Sequence, residues 1–279
     1  MNLVFTQCAF GQILFSKVMG FFANRRLGFL TRWWISAFVR YYQVNTDDIL
    51  NYSPAHFRTF NAFFTRTLKP NARSLNSDPH AVISPVDGAV VESGIMEKGQ
   101  LIQAKGHDYS LTALMAGNSA LIEAFDHGAY LTAYLAPKDY HRVHMPLKGR
   151  LIHRMYVPGT LFSVNTRAVS NIPNLFARNE RVICVFETES GLMSVILVGA
   201  MIVGSIQTIW TQSRIPNHAK GIHQWDFENQ TIVLEKGAEL GHFEMGSTVV
   251  VLFQANRVRW DNFKPKDSLK LYQSLGKII

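Results

Sequence analysis

Gly246-Ser247-Thr248 runs directly into Val249-Val250-Val251-Leu252-Phe253, which puts a hydroxyl nucleophile at the start of an apolar strand. A glycine-serine pair alone is ordinary turn chemistry. It gains weight from two other segments, Ser84-Pro85-Val86-Asp87-Gly88 and Asp139-Tyr140-His141-Arg142-Val143-His144-Met145-Pro146, which add a carboxylate and two imidazoles. These are the parts needed to make a hydroxyl reactive near neutral pH. Imidazole titrates near ~6.5 and takes the proton, while a carboxylate on its second nitrogen fixes the tautomer. Ser247 is then a candidate nucleophile, His144 or His141 a candidate base and Asp87 a candidate orienting partner. Attack of the Ser247 hydroxyl on the Gly246 carbonyl converts that amide to an ester. Gly246 suits the attack because a missing side chain permits unusual backbone geometry.

His141 stands three residues before His144. A helical turn would put both rings on one side and a strand would put them on opposite faces; Pro146 argues against a long helix, so separate roles are expected. His-x-x-His also reads as half a zinc site. His56, His80, His107, His127, His153, His218, His223 and His242 offer no second ligand pair of standard spacing, and no metal is expected. Neither a Walker pattern nor Gly-x-Gly-x-x-Gly occurs. A second pair, Gly204-Ser205, lies in an apolar run and reads as core.

The chain resembles the phosphatidylserine decarboxylases of the bacterial and mitochondrial type along nearly its whole length. Besides the three segments above, the resemblance rests on Phe63-Phe64-Thr65-Arg66, Leu68-Lys69-Pro70, Tyr156-Val157-Pro158-Gly159 and Leu161-Phe162-Ser163-Val164-Asn165. Asn174-Leu175-Phe176-Ala177-Arg178-Asn179-Glu180-Arg181, Val198-Gly199-Ala200 and Val203-Gly204-Ser205-Ile206 also match. The family usually has Leu before its Gly-Ser-Thr; here Met245, of similar volume, takes that place. The resemblance implies a maturation triad of Asp87, His144 and Ser247, cleavage between Gly246 and Ser247, and a pyruvoyl cofactor derived from Ser247. That group would form a Schiff base with phosphatidylserine and release CO2 to give phosphatidylethanolamine. His141 and Ser163 would handle substrate and proton transfer. The β chain 1–246 and α chain 247–279 would stay associated, as a homo-oligomer, at the cytoplasmic side of the cell membrane.

Of the 279 residues, 17% are charged, below the usual ~25%, so apolar surface beyond the needs of one core is expected. The net charge of +8 favours an anionic partner, nucleic acid or an anionic membrane; no nucleic-acid motif is present. Cys8 and Cys184 lack metal or redox spacing and read as reduced thiols. No window reaches the ~18 apolar residues of a spanning helix, and no cleaved signal peptide is expected.

Residues 1–46 contain no acidic side chain. On a helical wheel Arg25, Arg26, Arg32, Ser36 and Arg40 share one arc, while Leu27, Leu30, Trp34, Phe38 and Tyr41 oppose it. Phe29 and Trp33 intrude on the basic side. Such a segment suits the plane of a membrane interface. A second helix is expected from Ser53 (N-cap) and Pro54 to about Thr65, and a short one between Ser110 and Gly117. From residue 81 onward, β-rich runs dominate: 88–91, 101–104, 129–136, 151–157, 181–187, 193–203, 231–235 and 248–253. The expected class is α+β, with a membrane-associated helical segment over 1–46 and a sandwich- or barrel-like catalytic domain over 47–279. Two readings compete with the decarboxylase: a peripheral membrane-binding protein whose Gly246–Ser247 bond stays intact, and a zinc hydrolase using His141 and His144.

Overall fold

The strand that Ser247 opens is apolar without alternation because both of its faces are covered. Alternate residues along it supply two separate cores: Val249, Val251 and Phe253 join one, Val250 and Leu252 the other. A strand with one wet face would alternate with polar residues. The computed structural model of the chain describes residues 18–104, 107–201, 205–210, 220–227, 231–244 and 247–279.

The strands, in chain order, are β1 (Ala81–Ile83), β2 (Gly88–Ile95), β3 (Gln100–Ala104), β4 (His107–Ser110), β5 (Ala129–Leu135) and β6 (Arg142–His144). Then follow β7 (Gly149–Val157), β8 (Arg181–Thr188), β9 (Gly191–Gly199), β10 (Ile206–Thr208), β11 (His223–Asp226) and β12 (Val233–Leu234). The last are β13 (Glu239–Phe243), β14 (Ser247–Phe253), β15 (Val258–Trp260), β16 (Ser268–Leu269) and β17 (Ser274–Ile278). A nine-stranded sheet runs β11-β7-β8-β9-β14-β5-β2-β16, with β12 also on β7. A three-stranded sheet, β10-β13-β6, covers one face. Val143, Leu240, Phe243 and Ile206 of that sheet share a core with Val249 and Val251. Short helices, Leu111–Leu114, Ser119–Phe125, Thr166–Val169 and Leu175–Arg178, contribute to the core on the other face. The body is therefore α+β and sheet-rich, layered as a sandwich on the β6 side and roofed by helices on the other.

The helix Leu111–Leu114 starts where the sequence marks it, with the Ser110 hydroxyl accepting from the Ala113 amide. The helix expected from Ser53 does not form. Residues 53–56 close a turn, His56 N to Ser53 O at 3.0 Å, and the helix is only Phe60–Phe64. Thr59 caps it, extended at φ −139° and accepting from Ala62 N. Proline after serine fits a turn as well as a helix start, and here the turn wins.

The helix Phe29–Tyr42 buries Thr31 and Ile35 and lays Trp34 and Phe38 on Phe60, Phe63 and Phe64, with the Trp34 and Phe60 rings stacked at 4.2 Å. Only part of the expected apolar side packs inward, since Leu30 and Tyr41 are exposed. Phe29 and Trp33, the two apparent intruders, point to solvent at 76% and 70% exposure beside the exposed Arg25, Arg26, Arg32 and Arg40. Residues 1–17 of the expected membrane segment lie outside the described residues. Among the described residues no helix is long and apolar enough to cross a membrane.

Candidate active site

Ser247 is the first residue of β14, paired with Leu135 of β5 on one side and Gly199 of β9 on the other. It is fully buried, and its Oγ has no hydrogen-bond partner among the described residues. A buried hydroxyl without a partner costs ~1–3 kcal/mol, so this atom is held out of the local network. Gly246 lies outside the described residues. The chain arrives from β13, which pairs with β6: His144 faces Glu239, Arg142 faces His242, and the Phe243 amide donates to the His141 carbonyl at 3.0 Å. The His144 strand β6 is thus the immediate neighbour of β13, while His141 lies just before β6, and the two histidines have separate surroundings.

The His144 ring is held on both nitrogens. Nδ1 lies 2.9 Å from the Gly237 carbonyl and 3.0 Å from the Tyr272 hydroxyl, which itself donates to Gly237 O at 3.1 Å. A carbonyl only accepts, so Nδ1 carries the hydrogen and Nε2 keeps its lone pair. Nε2 receives the Tyr140 hydroxyl at 3.3 Å. Burial pushes the His144 pKa below its usual value, so the ring is neutral and basic at Nε2 near pH 7.

Asp87 does not occupy the second ring nitrogen of His144, where triad logic places it; Gly237 O and Tyr272 stand there. Its carboxylate accepts from Arg73 twice, Nε to Oδ1 at 2.9 Å and Nη2 to Oδ2 at 2.6 Å, and from the Leu271 amide at 2.8 Å. Arg73 also pairs with Asp48 at 2.8 Å, tying the end of the N-terminal helical layer to the same point. Asp87 meets His144 through two short links. The His144 amide donates to Pro85 O at 2.9 Å, and Leu271, held by Asp87, precedes Tyr272, whose hydroxyl holds the ring. Tyr272 sits at φ +71°, a strained region for a bulky residue. Gly88 is required by packing, since a Cβ there would lie 2.3 Å from the Tyr134 carbonyl oxygen.

His141 is fully buried and its ring stacks on Phe64 at 4.1 Å. Nε2 meets the Ala136 carbonyl at 3.1 Å, so Nδ1 holds the lone pair, and among the described residues no partner reaches it. Burial, helped by the nearby Arg66 charge, pushes its pKa down to about 3. Ala136 directly follows Leu135, the β5 partner of Ser247, so His141 is anchored one residue from the nucleophile's pairing row. Ser163 is half-buried in the loop after β7, and its hydroxyl makes one long contact, 3.5 Å, with the Asn165 amide. The structure brings no contact between Ser163 and either histidine. Among the described residues no three His, Cys, Asp or Glu side chains converge as metal ligands. Ser205 lies between β9 and β10 rather than inside a core strand, and its carbonyl accepts from the Glu244 amide. A cavity of about 1190 Å³, walled by Val91, Ile102, Tyr134, Val164 and Val169, opens on the opposite face of the large sheet from Ser247.

Arg73, Tyr272 and Gly237 escape the sequence reading. A tyrosine seven residues from the chain end and a lone arginine carry no spacing signal, and a carbonyl is invisible in a sequence.

The phosphatidylserine decarboxylase family profile matches residues 60–277. Proteins named phosphatidylserine decarboxylase proenzyme align over most of their length. One from Coxiella burnetii (strain RSA 331 / Henzerling II) is 47% identical over 264 residues, covering 94% of this chain and 93% of its own. One from Azotobacter vinelandii (strain DJ) is 46% identical over 268 residues, covering 95% and 93%. One from Vibrio cholerae (strain O395) is 46% identical over 250 residues, covering 88% of each. A sheet-rich α+β body with a buried serine and paired histidines is here the scaffold of a lyase. The chain belongs to the phosphatidylserine decarboxylase family and is a carboxy-lyase of phospholipid biosynthesis.

Proposed function

We propose that this chain cuts itself between Gly246 and Ser247, converts Ser247 to a pyruvoyl group, and uses that group to release carbon dioxide from phosphatidylserine in an anionic membrane. The observation that carries the reading is the buried Oγ of Ser247, without a partner among the described residues, at the head of β14, the strand that follows β13, which is itself paired with the His144 strand β6. In this assignment His144 Nε2 takes the serine proton once Tyr140 yields it, the Gly237 carbonyl and Tyr272 keep the tautomer, and Asp87 and Gly246 serve the same maturation step. His141, with an uncommitted Nδ1 lone pair, moves a proton during decarboxylation, and Ser163 contacts substrate. The pyruvoyl ketone would condense with the substrate amine and accept the electron pair left by carbon dioxide.

Pairing across the cut supports lasting association of the two pieces. After cleavage β14 would remain hydrogen-bonded to β5 and β9, β17 to β1 and β16 to β2. A peripheral position at the cytoplasmic side of the cell membrane is supported by exposed Phe29 and Trp33 beside four arginines. Aromatic rings favour the interfacial zone and arginines favour anionic lipid. That helix packs on Phe60, and Phe64 of the same short helix stacks on His141, so one aromatic layer separates the exposed face from the site.

The test is intact mass under denaturing conditions. Two chains meeting at 246/247, the smaller lighter by one ammonia than hydrolysis gives, is the expected result. A single uncut chain from folded, purified protein would overturn the reading.

A further inference from the structure

Arg66 is a buried cation, 4% exposed, with no carboxylate in direct contact among the described residues; Asp139 and Asp87 act on its charge only from a distance. Asp87 is committed to Arg73, and the Asp139 carboxylate accepts from the Ala136 amide at 2.7 Å. Only Nη2 is used: it donates to the carbonyls of Lys138 and Asp139, both at 2.8 Å. Nε and Nη1 are buried without a partner among the described residues. The guanidinium lies over the Phe63 ring at 5.3 Å, which fixes its plane. A buried charge and two unused donors are costly to keep, and the two loop carbonyls occupy only one of the three guanidinium nitrogens.

Its location gives the cost a meaning. The loop 136–139 begins directly after Leu135, the β5 partner of Ser247. Its carbonyls hold both Arg66 and, through Ala136 O, the His141 ring. The positive charge of Arg66 is also felt at His141. Three unpartnered polar atoms, Arg66 Nε, Arg66 Nη1 and His141 Nδ1, therefore sit around one short loop beside the nucleophile. His141 Nδ1 bears a lone pair and offers nothing to an anion. The arginine donors are the anion-binding groups of this cluster.

We propose that Arg66 binds the phosphodiester of the substrate headgroup and so selects phosphate-bearing serine esters; this rests on the decarboxylase reading above. The substrate has two anionic groups, and chemistry chooses between them. Clamping the carboxylate would stabilise the ground state and oppose loss of carbon dioxide. Holding the phosphodiester, which is unchanged in the reaction, positions the amine without that penalty. Arginine N–H donors match phosphate oxygens well.

The experiment uses matured full-length enzyme and two soluble substrates, dihexanoyl phosphatidylserine and the O-hexyl ether of serine, which keeps amine and carboxylate but lacks phosphate. Wild type should prefer the phospholipid in kcat/KM. In Arg66→Met that preference should fall by roughly 10- to 100-fold, the range for a charged hydrogen bond, mainly through KM. Arg66→Lys, which keeps the charge and holds the loop carbonyls, should recover part of it, and it carries the test alone if Arg66→Met does not fold. An unchanged preference in both variants, or an equal loss on both substrates, would overturn the assignment. If wild type itself stays uncut and inactive, the decarboxylase reading falls instead, and the two failures are distinguished by mass.

Discussion

Replacing His141 with asparagine should flatten the acid limb of this protein's stability. His141 is fully buried, and its pKa is pushed down to about 3 by burial and by Arg66, against ~6.5 in an unfolded chain. Between those values the unfolded chain binds a proton that the folded protein refuses, so stability rises with pH and is lost as pH falls below ~6.5. From pH 7 to pH 5 one such group costs about 2 kcal/mol, the logarithm of its unfolded-state protonation over that range. Asparagine keeps a donor for the Ala136 carbonyl and has no proton to take up. Urea unfolding at pH 5, 6 and 7 checks it, in a Ser247→Ala background so that one chain unfolds. His144 is shifted in the same direction but is present in both proteins, so the difference isolates His141. Equal acid losses with and without His141 would refute the reasoning.

Ser247→Ala should remain one chain on a denaturing gel and lack decarboxylase activity; cleavage in that variant would remove Ser247 from its role. Asp87→Ala and His144→Ala should each slow self-cleavage, and normal processing in both would rule out their part in it. Tyr272→Phe should slow cleavage by roughly tenfold, the worth of one hydrogen bond to the base. Because Asp87 holds the neighbouring Leu271, the double variant with Asp87→Ala should be no slower than Asp87→Ala alone, whereas fully additive losses would separate the two. Trp33→Ala should weaken partition onto vesicles containing anionic phosphatidylglycerol by roughly tenfold or more, as expected for one large apolar side chain; unaltered partition would show that this face does not meet lipid.

Ser247, Gly246 and the Val249–Phe253 run were legible because they are contiguous: an apolar strand announces itself by composition, and a nucleophile at its head by position. Each of the eight β-rich runs from residue 81 onward holds a strand for the same reason, since strand propensity and turn residues are local, although β9 ends at Gly199, short of the expected 203. The Ser53 helix was misread because serine-proline serves a turn and a helix start equally, and only the packing of Phe60, Phe63 and Phe64 under Trp34 chose where the helix begins. The wheel of residues 25–41 held over the helix Phe29–Tyr42 but not over Arg25, Arg26 and Leu27, which precede it, and which face met the protein was decided by those same phenylalanines, which left Phe29 and Trp33 outside.

The site divides along the same line. Residue types alone gave a carboxylate, two histidines and a serine as chemically complementary parts; only the family resemblance singled out His144 and joined it with Asp87 and Ser247 as a triad. What each one touches was beyond the sequence. The partner of His144 Nδ1 is a backbone carbonyl 93 residues away, and Asp87 is bound by Arg73 and Leu271, 14 and 184 residues away. Hydrogen bonds over such separations exist only once the sheets have closed, so the tautomer of His144, the hold on Asp87 and the unused donors of Arg66 are properties of the folded chain.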